Sequence, residues 1–412
     1  MPVLRNISQL ASCPAESAQQ DAGLIQNAAL AWRGDTIAWI GPHEQLPVEF
    51  HTDVVTDCGG RLVIPGLVDC HTHLCFGGWR ADEFELRLAG ASYQEIAKAG
   101  GGISSTVTAT RAASQGKLLR KTKAHLDGML KLGVTTVECK SGYGLDMANE
   151  LKQLEVYRQL NQEHVITLIP TFLGAHVIPR EFSERRRAYI HLLCSEMIPA
   201  VAKRKLARFC DVFIEDGAYT IDEAREILSS AKAHYLGIKI HADQLSDGGG
   251  ATLAAELGAV SAEHLEYVSE TGIQALAEAG VVAVSLPLAS MYLRESYMPA
   301  RRLLDAGVAV AVATDFNPGS APSFHLPLAL TLACLNQGMT PAEALMGATA
   351  VAARAVGLER SAGSLQAGFR ADFAIIDAPD LNQWLYHFVA NACVAVVKGG
   401  DWVFQRSTKP RF

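Results

Sequence analysis

Two histidines separated by a single residue, His71 and His73, give the sharpest chemical signal in the sequence. They follow the run 62–70, which is mostly apolar and predicts a buried strand. Because residues i and i+2 of an extended segment point to the same side, both imidazoles would face one point and could chelate one cation. An H-x-H pair alone predicts a metal site only weakly, so the interpretation depends on further ligands elsewhere in the chain.

Further polar residues stand at or just after the ends of other apolar runs. They are Tyr143, His176, His241, His264 and Asp315. Alone, His241 could equally be a hydrogen-bonded core histidine, and Asp315 could cap the turn that follows it. An ionised carboxylate after an almost purely apolar run is costly, however, unless it is paired or bound to a metal. Three histidines and one aspartate would form a site that suits Zn²⁺ or iron, with a water in the open position.

The elements that must position these residues alternate between strands and helices. Eight apolar runs rich in Val and Ile predict strands at 62–70, 134–140, 165–173, 209–215, 238–241, 259–264, 281–286 and 308–314. Segments with helical periodicity lie between most of them, which indicates a parallel sheet covered on its outer face. Eight such strands predict a (β/α)₈ barrel, an α/β fold whose catalytic groups lie at the carboxyl ends of its strands. An open doubly wound sheet would need a glycine fingerprint after its first strand, and none is present.

Both ends of the chain differ from this alternating pattern. Short apolar runs broken by turn residues predict β structure within the first sixty residues and again at 371–377 and 393–398. The pair Gly59-Gly60 is interpreted as one of these turns. We therefore expect a small β-sandwich domain built from residues 1–60 and 361–412, beside a catalytic barrel at 61–360.

The composition excludes several classes of function. The chain of 412 residues is 49% hydrophobic and 19% charged, so it can bury a large core. Its formal charge of −7, without a long basic run, argues against a nucleic-acid partner. We expect a cytoplasmic protein, because no secretion signal and no stretch of about 18 apolar residues is present. An odd count of cysteines without a C-x-x-C pair indicates reduced thiols.

Longer motifs resemble the amidohydrolase superfamily and, more closely, its imidazolonepropionase family. The superfamily resemblance rests on the β segments at both ends, the H-x-H, the histidines on the fifth and sixth strands and the aspartate after the eighth. The closer resemblance covers essentially the whole chain. It rests on Gly77-Gly78-Trp79-Arg80, Gly100-Gly101-Gly102-Ile103, Glu138-Cys139-Lys140-Ser141-Gly142-Tyr143-Gly144, Phe172-Leu173-Gly174-Ala175-His176 and Thr314-Asp315-Phe316-Asn317-Pro318-Gly319-Ser320.

This resemblance implies an enzyme of histidine degradation that hydrolyses the lactam C–N bond of 4-imidazolone-5-propanoate to N-formimidoyl-L-glutamate. It implies one metal ion per chain, Zn²⁺ or Fe³⁺, with ligands at His71, His73, His241 and Asp315. It implies substrate contacts by Arg80, Tyr143, His176, Gln244, Asn317, Gly319 and Ser320. Barrels of this kind are often dimers, so we also expect a homodimer.

Proton transfer is assigned to Asp315, which can take a proton from the attacking water and pass it to the leaving ring nitrogen. His264 can stabilise the developing oxyanion. Related deaminases carry a glutamate three residues after the histidine of the fifth strand, whereas this chain has Gln244, whose amide does not titrate but can hydrogen-bond the ring. The fourth strand ends without a lysine for a bridging carbamate, so a single metal is expected. Lys140 is expected to pair with Glu138 or to line the pocket wall.

The predicted substrate contacts have structural alternatives. Arg80 offers a planar, two-pronged donor to the propanoate tail, but a surface ion pair with Asp82 or Glu83 is the alternative. Tyr143 and His176 could be a packed aromatic and a capping imidazole. A deaminase acting on a heteroaromatic base would have no use for Arg80, because such bases lack a carboxylate.

One alternative function and the roles of two glycine clusters remain open at this point. A non-catalytic relative that keeps the barrel as an assembly or binding module would be expected to lose metal ligands, and all four are present. The cluster Gly100–Gly102 could be a flexible lid or a plain turn. The cluster Gly248–Gly250 could offer backbone donors to an anion or simply form a loop.

Overall fold

The computed structural model describes residues 2–51, 54–90 and 101–406, whose strands form two sheets. The strands are β1 Pro2–Ala11, β2 Leu24–Arg33, β3 Thr36–Pro42, β4 Val54–Pro65, β5 Leu67–Asp69, β6 Val134–Lys140, β7 Thr167–Ala175, β8 Phe209–Phe213, β9 Gly237–Ala242, β10 Ser261–His264, β11 Val282–Ser285, β12 Val310–Val312, β13 Phe373–Ile376, β14 Cys393–Lys398 and β15 Asp401–Gln405. Strands β5 to β12 form an eight-stranded sheet in sequence order, and each pair of neighbouring strands from β5 to β12 is parallel. The other seven strands form a second sheet in the order β15-β14-β13-β4-β1-β2-β3. The predicted class, a (β/α)₈ barrel with a small β domain built from both termini, is confirmed.

Helices follow the barrel strands and cover the outside of the sheet. They are α1 Ala81–Leu88, α2 Ile103–Ala112, α3 Gln115–Leu130, α4 Met147–Glu163, α5 Arg186–Leu192, α6 Ile198–Lys203, α7 Ile221–Ala233, α8 Gly250–Leu257, α9 Glu270–Ala279, α10 Pro287–Leu293, α11 Ala300–Asp305, α12 Leu326–Gln337, α13 Pro341–Gly347, α14 Ala350–Ala355 and α15 Leu381–Tyr386. Several begin at side-chain caps that satisfy the first free backbone donors. Thr220 and Glu223, for example, form a reciprocal capping box at the start of α7.

The barrel closes between its first and last strands just beyond their carboxyl ends. Thr72 and Phe316 form a parallel bridge there. The backbone N–H of Asp315 donates to the carbonyl of His71 at 3.1 Å, and that of His73 donates to the carbonyl of Phe316 at 2.9 Å. This closure sets the H-x-H pair directly beside the aspartate that follows β12.

The prediction of one continuous strand at 62–70 was wrong. Residues 62–65 belong to β4 and pair with β13, whereas Leu67–Asp69 forms β5 and pairs with β6. The chain changes sheets at Gly66, where a Cβ atom would lie 2.3 Å from Thr135 Oγ1. Both halves are buried on both faces, so the apolar pattern does not show where one sheet ends and the other begins.

The interpretation of Gly59-Gly60 as a turn was also wrong. Both glycines have positive φ, 69° and 70°, but they lie inside β4, where the pairing with β1 changes register. The glycines therefore form a bulge within one strand. Strand β1 itself was not predicted. The alternation of apolar and polar residues in β1 is interrupted at Asn6, which has a φ of 57°. The pairing of β1 with β2 changes register at the same place.

Apolar packing of the described residues forms one large core around the barrel and two smaller clusters on the terminal sheet. In the larger of these two clusters, the rings of Trp32 and Phe373 meet edge to face with centroids 5.2 Å apart. Within the described residues, no helical segment has the length and hydropathy that a membrane crossing requires.

Candidate metal centre and active site

The four predicted metal ligands lie together at the carboxyl-terminal mouth of the barrel. His71 Nε2 and His73 Nε2 lie 3.4 and 3.5 Å from Asp315 Oδ1. The rings of His71 and His241 have centroids 4.6 Å apart. All four residues are buried, with at most 3% of their surface exposed. Elements that are far apart in sequence thus bring three imidazoles and one carboxylate to one point.

The donor atoms of this cluster fit a bound cation. Both ring nitrogens of His71 and of His241 are buried and have no hydrogen-bond partner among the described residues, although His71 Nε2 lies 3.4 Å from Asp315 Oδ1. A buried polar atom without a partner is costly, and coordination to a metal would satisfy one nitrogen of each ring. Imidazole nitrogens together with a carboxylate oxygen suit Zn²⁺ or iron.

The charge states of the cluster agree with this fit. Burial lowers the pKa of His73 to about 3 and holds the pKa of His241 well below its usual value, so both imidazoles are neutral near pH 7. Burial opposes ionisation of Asp315, but the His71 and His73 contacts outweigh it and hold that pKa well below its usual range. Burial also opposes protonation of His71, yet the Glu263 and Asp315 carboxylates raise its pKa to about 9. A cation at Nε2 would compete with that proton.

The backbone is left-handed at two of the residues that carry catalytic predictions. His264 has a φ of 79° and Asp315 a φ of 54°. Residues other than glycine adopt this region only when their surroundings enforce it. The closure of the barrel fixes Asp315, and β10 ends at His264, so both side chains are directed by strained strand ends.

His264 lies close enough to the centre to reach it. Its ring centroid is 5.5 Å from that of His241 and 5.9 Å from that of His71, and its Nδ1 lies 3.5 Å from Glu266 Oε1. His71, His241 and His264 offer nitrogens that all lie within 4.8 Å of one another. This geometry allows His264 either to donate to a developing oxyanion, as predicted, or to bind the metal.

The loop after β12 fixes the orientation of Asp315. Ser320 Oγ donates to Asp315 Oδ2 at 3.2 Å, which turns Oδ1 toward the histidines. Asn317 uses both ends of its amide inside the loop: Nδ2 donates to the Asp315 carbonyl at 2.6 Å, and Oδ1 accepts from the Gly319 and Ser320 N–H groups. In this structure Asn317 and Ser320 therefore shape the loop, and their substrate contacts stay predictions.

Arg80 lies at the same mouth and is not on the surface. It pairs with Glu83 at 2.7 Å, one of the two partners considered from the sequence, but its side chain is only 6% exposed. A Cβ atom on Gly319 would lie 2.0 Å from Arg80 Nη1, so the guanidinium packs directly on that glycine. Glu83 also accepts from the Gly102 N–H at 2.8 Å, which ties the predicted lid to this pair. Gly100, the first residue of that predicted lid, lies outside the described residues.

Tyr143 and His176 form an aromatic wall beside His73, one of the predicted metal ligands. The rings of His176 and His73 stack with centroids 5.4 Å apart, and Tyr143 lies 5.5 Å from His176. His176 Nδ1 lies 3.0 Å from the Gly142 carbonyl, and burial lowers the pKa of His176 to about 3. Because a carbonyl only accepts, Nδ1 carries the proton of this neutral ring and Nε2 is an acceptor.

Gln244 stands half-buried just after β9, in a turn held by its neighbour Asp243. The Asp243 carboxylate accepts from the N–H groups of Gly248, Gly250 and Ala251 at 2.9 to 3.1 Å. The N–H groups of Gly248 and Gly250, two of the donors that could have bound an anion, therefore already have an internal carboxylate. This glycine cluster leads from the Gln244 turn into α8.

Sequence reasoning missed most of a charged group inside the barrel. The predicted pair of Lys140 and Glu138 is confirmed at 2.9 Å. Asp211, Lys239 and Glu263 lie beside it, and all five are fully buried. The sequence did contain a signal for this group. Lys239 stands inside an otherwise apolar strand, two residues before the predicted ligand His241, so both side chains point into the barrel.

Comparisons with known proteins agree with the geometry. The profile of the amidohydrolase family matches residues 62–403. The chain is 51% identical over 386 residues to the imidazolonepropionase of Symbiobacterium thermophilum, covering 92% of this chain and 91% of that protein. It is 47% identical over 387 residues to the imidazolonepropionase of Geobacillus kaustophilus, covering 93% and 91%.

Solved structures share the fold at much lower identity. An adenosine deaminase from Xanthomonas campestris with bound zinc superposes with a TM-score of 0.72 at 18% identity, covering 98% of this chain and 93% of that one. That likeness supports the architecture alone. The sequence matches go further: this chain belongs to the amidohydrolase family and, within it, to the imidazolonepropionases, and it is a metal-dependent hydrolase of C–N bonds.

Proposed function

We propose that this hydrolase opens the lactam ring of 4-imidazolone-5-propanoate and releases N-formimidoyl-L-glutamate, a step of histidine degradation. The observation that carries the proposal is the buried Arg80 guanidinium at the same barrel mouth as the His71, His73, His241 and Asp315 cluster. A substrate with a carboxylate tail and a cyclic amide needs a cationic anchor beside a hydrolytic centre. Relatives named imidazolonepropionase, at 47 to 51% identity, support the same substrate.

His71, His73, His241 and Asp315 would hold one Zn²⁺ or Fe³⁺ ion per chain. When bound, the ion supplies Lewis-acid activation of a water molecule and of the ring carbonyl. A single ion is favoured because no lysine follows β8 to form a bridging carbamate. The nearby Lys140 is held as an ammonium ion, since three carboxylates outweigh its burial and raise its pKa well above the usual value.

Asp315 is proposed to move the proton. The oxygen of water bonds to the ring carbonyl carbon while Asp315 accepts a proton from it. The carbon–nitrogen bond of the ring then breaks, and Asp315 returns the proton to the leaving nitrogen. The carbonyl carbon becomes a carboxylic acid, which loses its remaining proton to solvent as the carboxylate forms. The contact with Ser320 Oγ keeps the aspartate in one orientation throughout. His264 is proposed to donate to the carbonyl oxygen as negative charge develops there.

The remaining predicted residues are proposed to bind and orient the substrate. Arg80 would grip the propanoate with two parallel N–H donors, with Tyr143 beside it. His176 offers Nε2 as an acceptor to a ring N–H, because its Nδ1 is used by the Gly142 carbonyl. Gln244 would hydrogen-bond the ring, and Asn317, Gly319 and Ser320 would form the opposite wall.

We also propose that the enzyme is a cytoplasmic homodimer. Three large apolar side chains on or next to α12 and α15 support association: Leu335, Tyr386 and Phe388 are 69, 81 and 62% exposed. Exposed apolar groups of this size mark surfaces that bind other protein. Light scattering on the purified protein would give twice the chain mass if the proposal holds.

The substrate is tested with the metal-loaded protein and three compounds. We expect the absorbance of imidazolone propanoate to fall, with formation of formimidoylglutamate, and no ammonia release from adenosine or cytosine. Ammonia from a base without loss of the imidazolone would identify a deaminase instead. A metal-loaded protein that changes none of the three compounds would contradict the proposed function and favour a non-catalytic relative.

A further inference from the structure

Beneath the metal ligands lies a group of five fully buried ions, here named the buried charge cluster: Glu138, Lys140, Asp211, Lys239 and Glu263. Lys140 Nζ lies 2.9 Å from Glu138 Oε1, 2.8 Å from Asp211 Oδ2 and 3.3 Å from Glu263 Oε2. Lys239 Nζ lies 2.9 Å from Glu263 Oε1. An apolar core of the same volume is often as stable as buried ion pairs or more so, so stability alone does not account for this cluster.

Two carboxylates of the cluster contact metal ligands from below. Glu263 Oε2 lies 3.3 Å from His71 Nδ1, and Asp211 Oδ2 lies 3.0 Å from His241 Nδ1. Both nitrogens of each ring are buried and lack a well-formed hydrogen bond among the described residues, but only the Nδ1 atoms lie beside these two carboxylates, whereas His71 Nε2 lies 3.4 Å from Asp315 Oδ1 in the ligand cluster. Each ring therefore has a carboxylate of the buried charge cluster beside Nδ1, which leaves Nε2 for the candidate metal position.

A neutral imidazole carries one proton, and the partner of one nitrogen decides where that proton resides. We propose that Glu263 and Asp211 are positioning residues that keep the protons of His71 and His241 on Nδ1, so that both Nε2 lone pairs face the metal. The inference rests on the metal centre in the proposed function and adds residues that do not touch the substrate.

The rest of the cluster holds these two carboxylates in place. Glu263 Oε1 accepts from Lys239 Nζ and from Ser261 Oγ at 2.7 Å, which fixes its orientation. Lys140 bridges Glu263 and Asp211 and balances their charge.

The test measures metal binding without any substrate. Zn²⁺ affinity by chelator competition and the visible spectrum of the Co²⁺ form are compared for the wild-type protein, Glu263→Gln and Asp211→Asn. Loss of the carboxylate that orients a metal-binding histidine typically weakens binding about 10–100-fold, and we expect that loss together with an altered Co²⁺ spectrum. Glu343→Gln is the matched control, because Glu343 is also buried and paired, with Arg301, but lies at the start of α13.

A milder variant keeps the proposal testable if a charge change prevents folding. Ser261→Ala preserves every ion and removes one hydrogen bond to Glu263, so a smaller loss of Zn²⁺ affinity is expected. Wild-type affinity and an unchanged Co²⁺ spectrum in the folded variants would overturn the positioning role, even if the enzyme hydrolyses its proposed substrate. A wild-type protein that binds neither ion would instead contradict the metal centre itself.

Discussion

At the scale of single residues, burial decides between interpretations that the sequence leaves open. Arg80 forms the ion pair with Glu83 that was considered as the surface alternative, yet the pair is buried, and the guanidinium packs on Gly319 in the loop that follows Asp315. Sequence identifies the residue type but not its exposure, because that depends on the loop after β12 folding over it. An ion pair with a neighbour in sequence therefore does not place an arginine on the surface.

Arg80→Ala is expected to weaken substrate binding far more than folding. A charge-assisted contact contributes about 1.5–3 kcal/mol, which corresponds to a rise in KM of roughly 10- to 150-fold. KM for imidazolone propanoate and a thermal melt are the two measurements. Arg187→Ala is the control, because Arg187 pairs with Glu226 on the surface with 68% of its side chain exposed. An unchanged KM, or a collapsed melt, would assign Arg80 a structural role.

Variants at Gln244 and Asp315 are expected to differ in how turnover depends on pH. Gln244→Glu is expected to keep the metal and much of the turnover while adding a titrating carboxylate, which alters the acid limb of the pH–rate profile. Asp315→Asn should remove turnover at every pH, because the proton acceptor is lost. Metal content and kcat from pH 5 to 9 check both variants. Wild-type turnover in Asp315→Asn would contradict the proposed proton path.

At the scale of elements, the site depends on how α1 meets the loop after β12. Gly319 has no side chain because the Arg80 guanidinium occupies that space, 2.0 Å from where a Cβ would lie. Arg87 of α1 donates to the Gly319 carbonyl at 3.1 Å, so two arginines of one segment hold the same residue. This juxtaposition of residues more than 230 positions apart was not readable from the sequence.

Gly319→Ala is expected to displace Arg80 without unfolding the barrel. The clash involves the mobile end of a long side chain, so the melting temperature should change little while KM rises several-fold. Gly116→Ala in α3 is the control: its Cβ meets nothing closer than 3.6 Å, and alanine suits a helix better than glycine. If KM stays at the wild-type value in Gly319→Ala, the guanidinium does not bind substrate from this position.

The ends of the barrel strands were predicted best, and the point where the chain passes from one sheet to the other was predicted worst. The apolar runs placed all eight barrel strands, and the polar residues after them gave the ligands His71, His73, His241 and Asp315 proposed here. Gly66 was missed as a crossing point because the residues on both sides of it, 62–65 and 67–69, are all buried. The buried charge cluster was largely missed because ions inside a strand look like surface residues until the barrel is closed.

At the scale of the whole molecule, buried neutral histidines link stability to pH. His125 of α3 stacks on Phe76 with centroids 5.3 Å apart and contacts the Phe316 ring, and burial with nearby Lys121 lowers its pKa to about 4. In the unfolded chain the pKa is near 6.5, so between these values the unfolded state binds more protons. Stability is therefore complete above pH 6.5 and falls as the pH drops toward 4, by at most about 3 kcal/mol.

His125→Gln is expected to reduce this dependence. The drop in melting temperature between pH 7 and pH 4.5 should be smaller in the variant than in the wild type. Metal-free protein is used, so that protonation of the ligands on metal release does not enter the comparison. His43→Gln, at an exposed position, should keep the wild-type drop. An equal drop in His125→Gln and wild type would show that His125 does not contribute.

The central claim is that His71, His73, His241 and Asp315 hold one metal ion on which hydrolysis of imidazolone propanoate depends. The most direct measurement is turnover during stepwise return of Zn²⁺ or iron to metal-stripped protein, with bound metal determined by elemental analysis. We predict that turnover rises in proportion to bound metal and reaches its maximum at one ion per chain. The folded His241→Ala variant is expected to recover neither the bound metal nor the turnover. Full turnover by the metal-free protein, or by His241→Ala, would contradict the account.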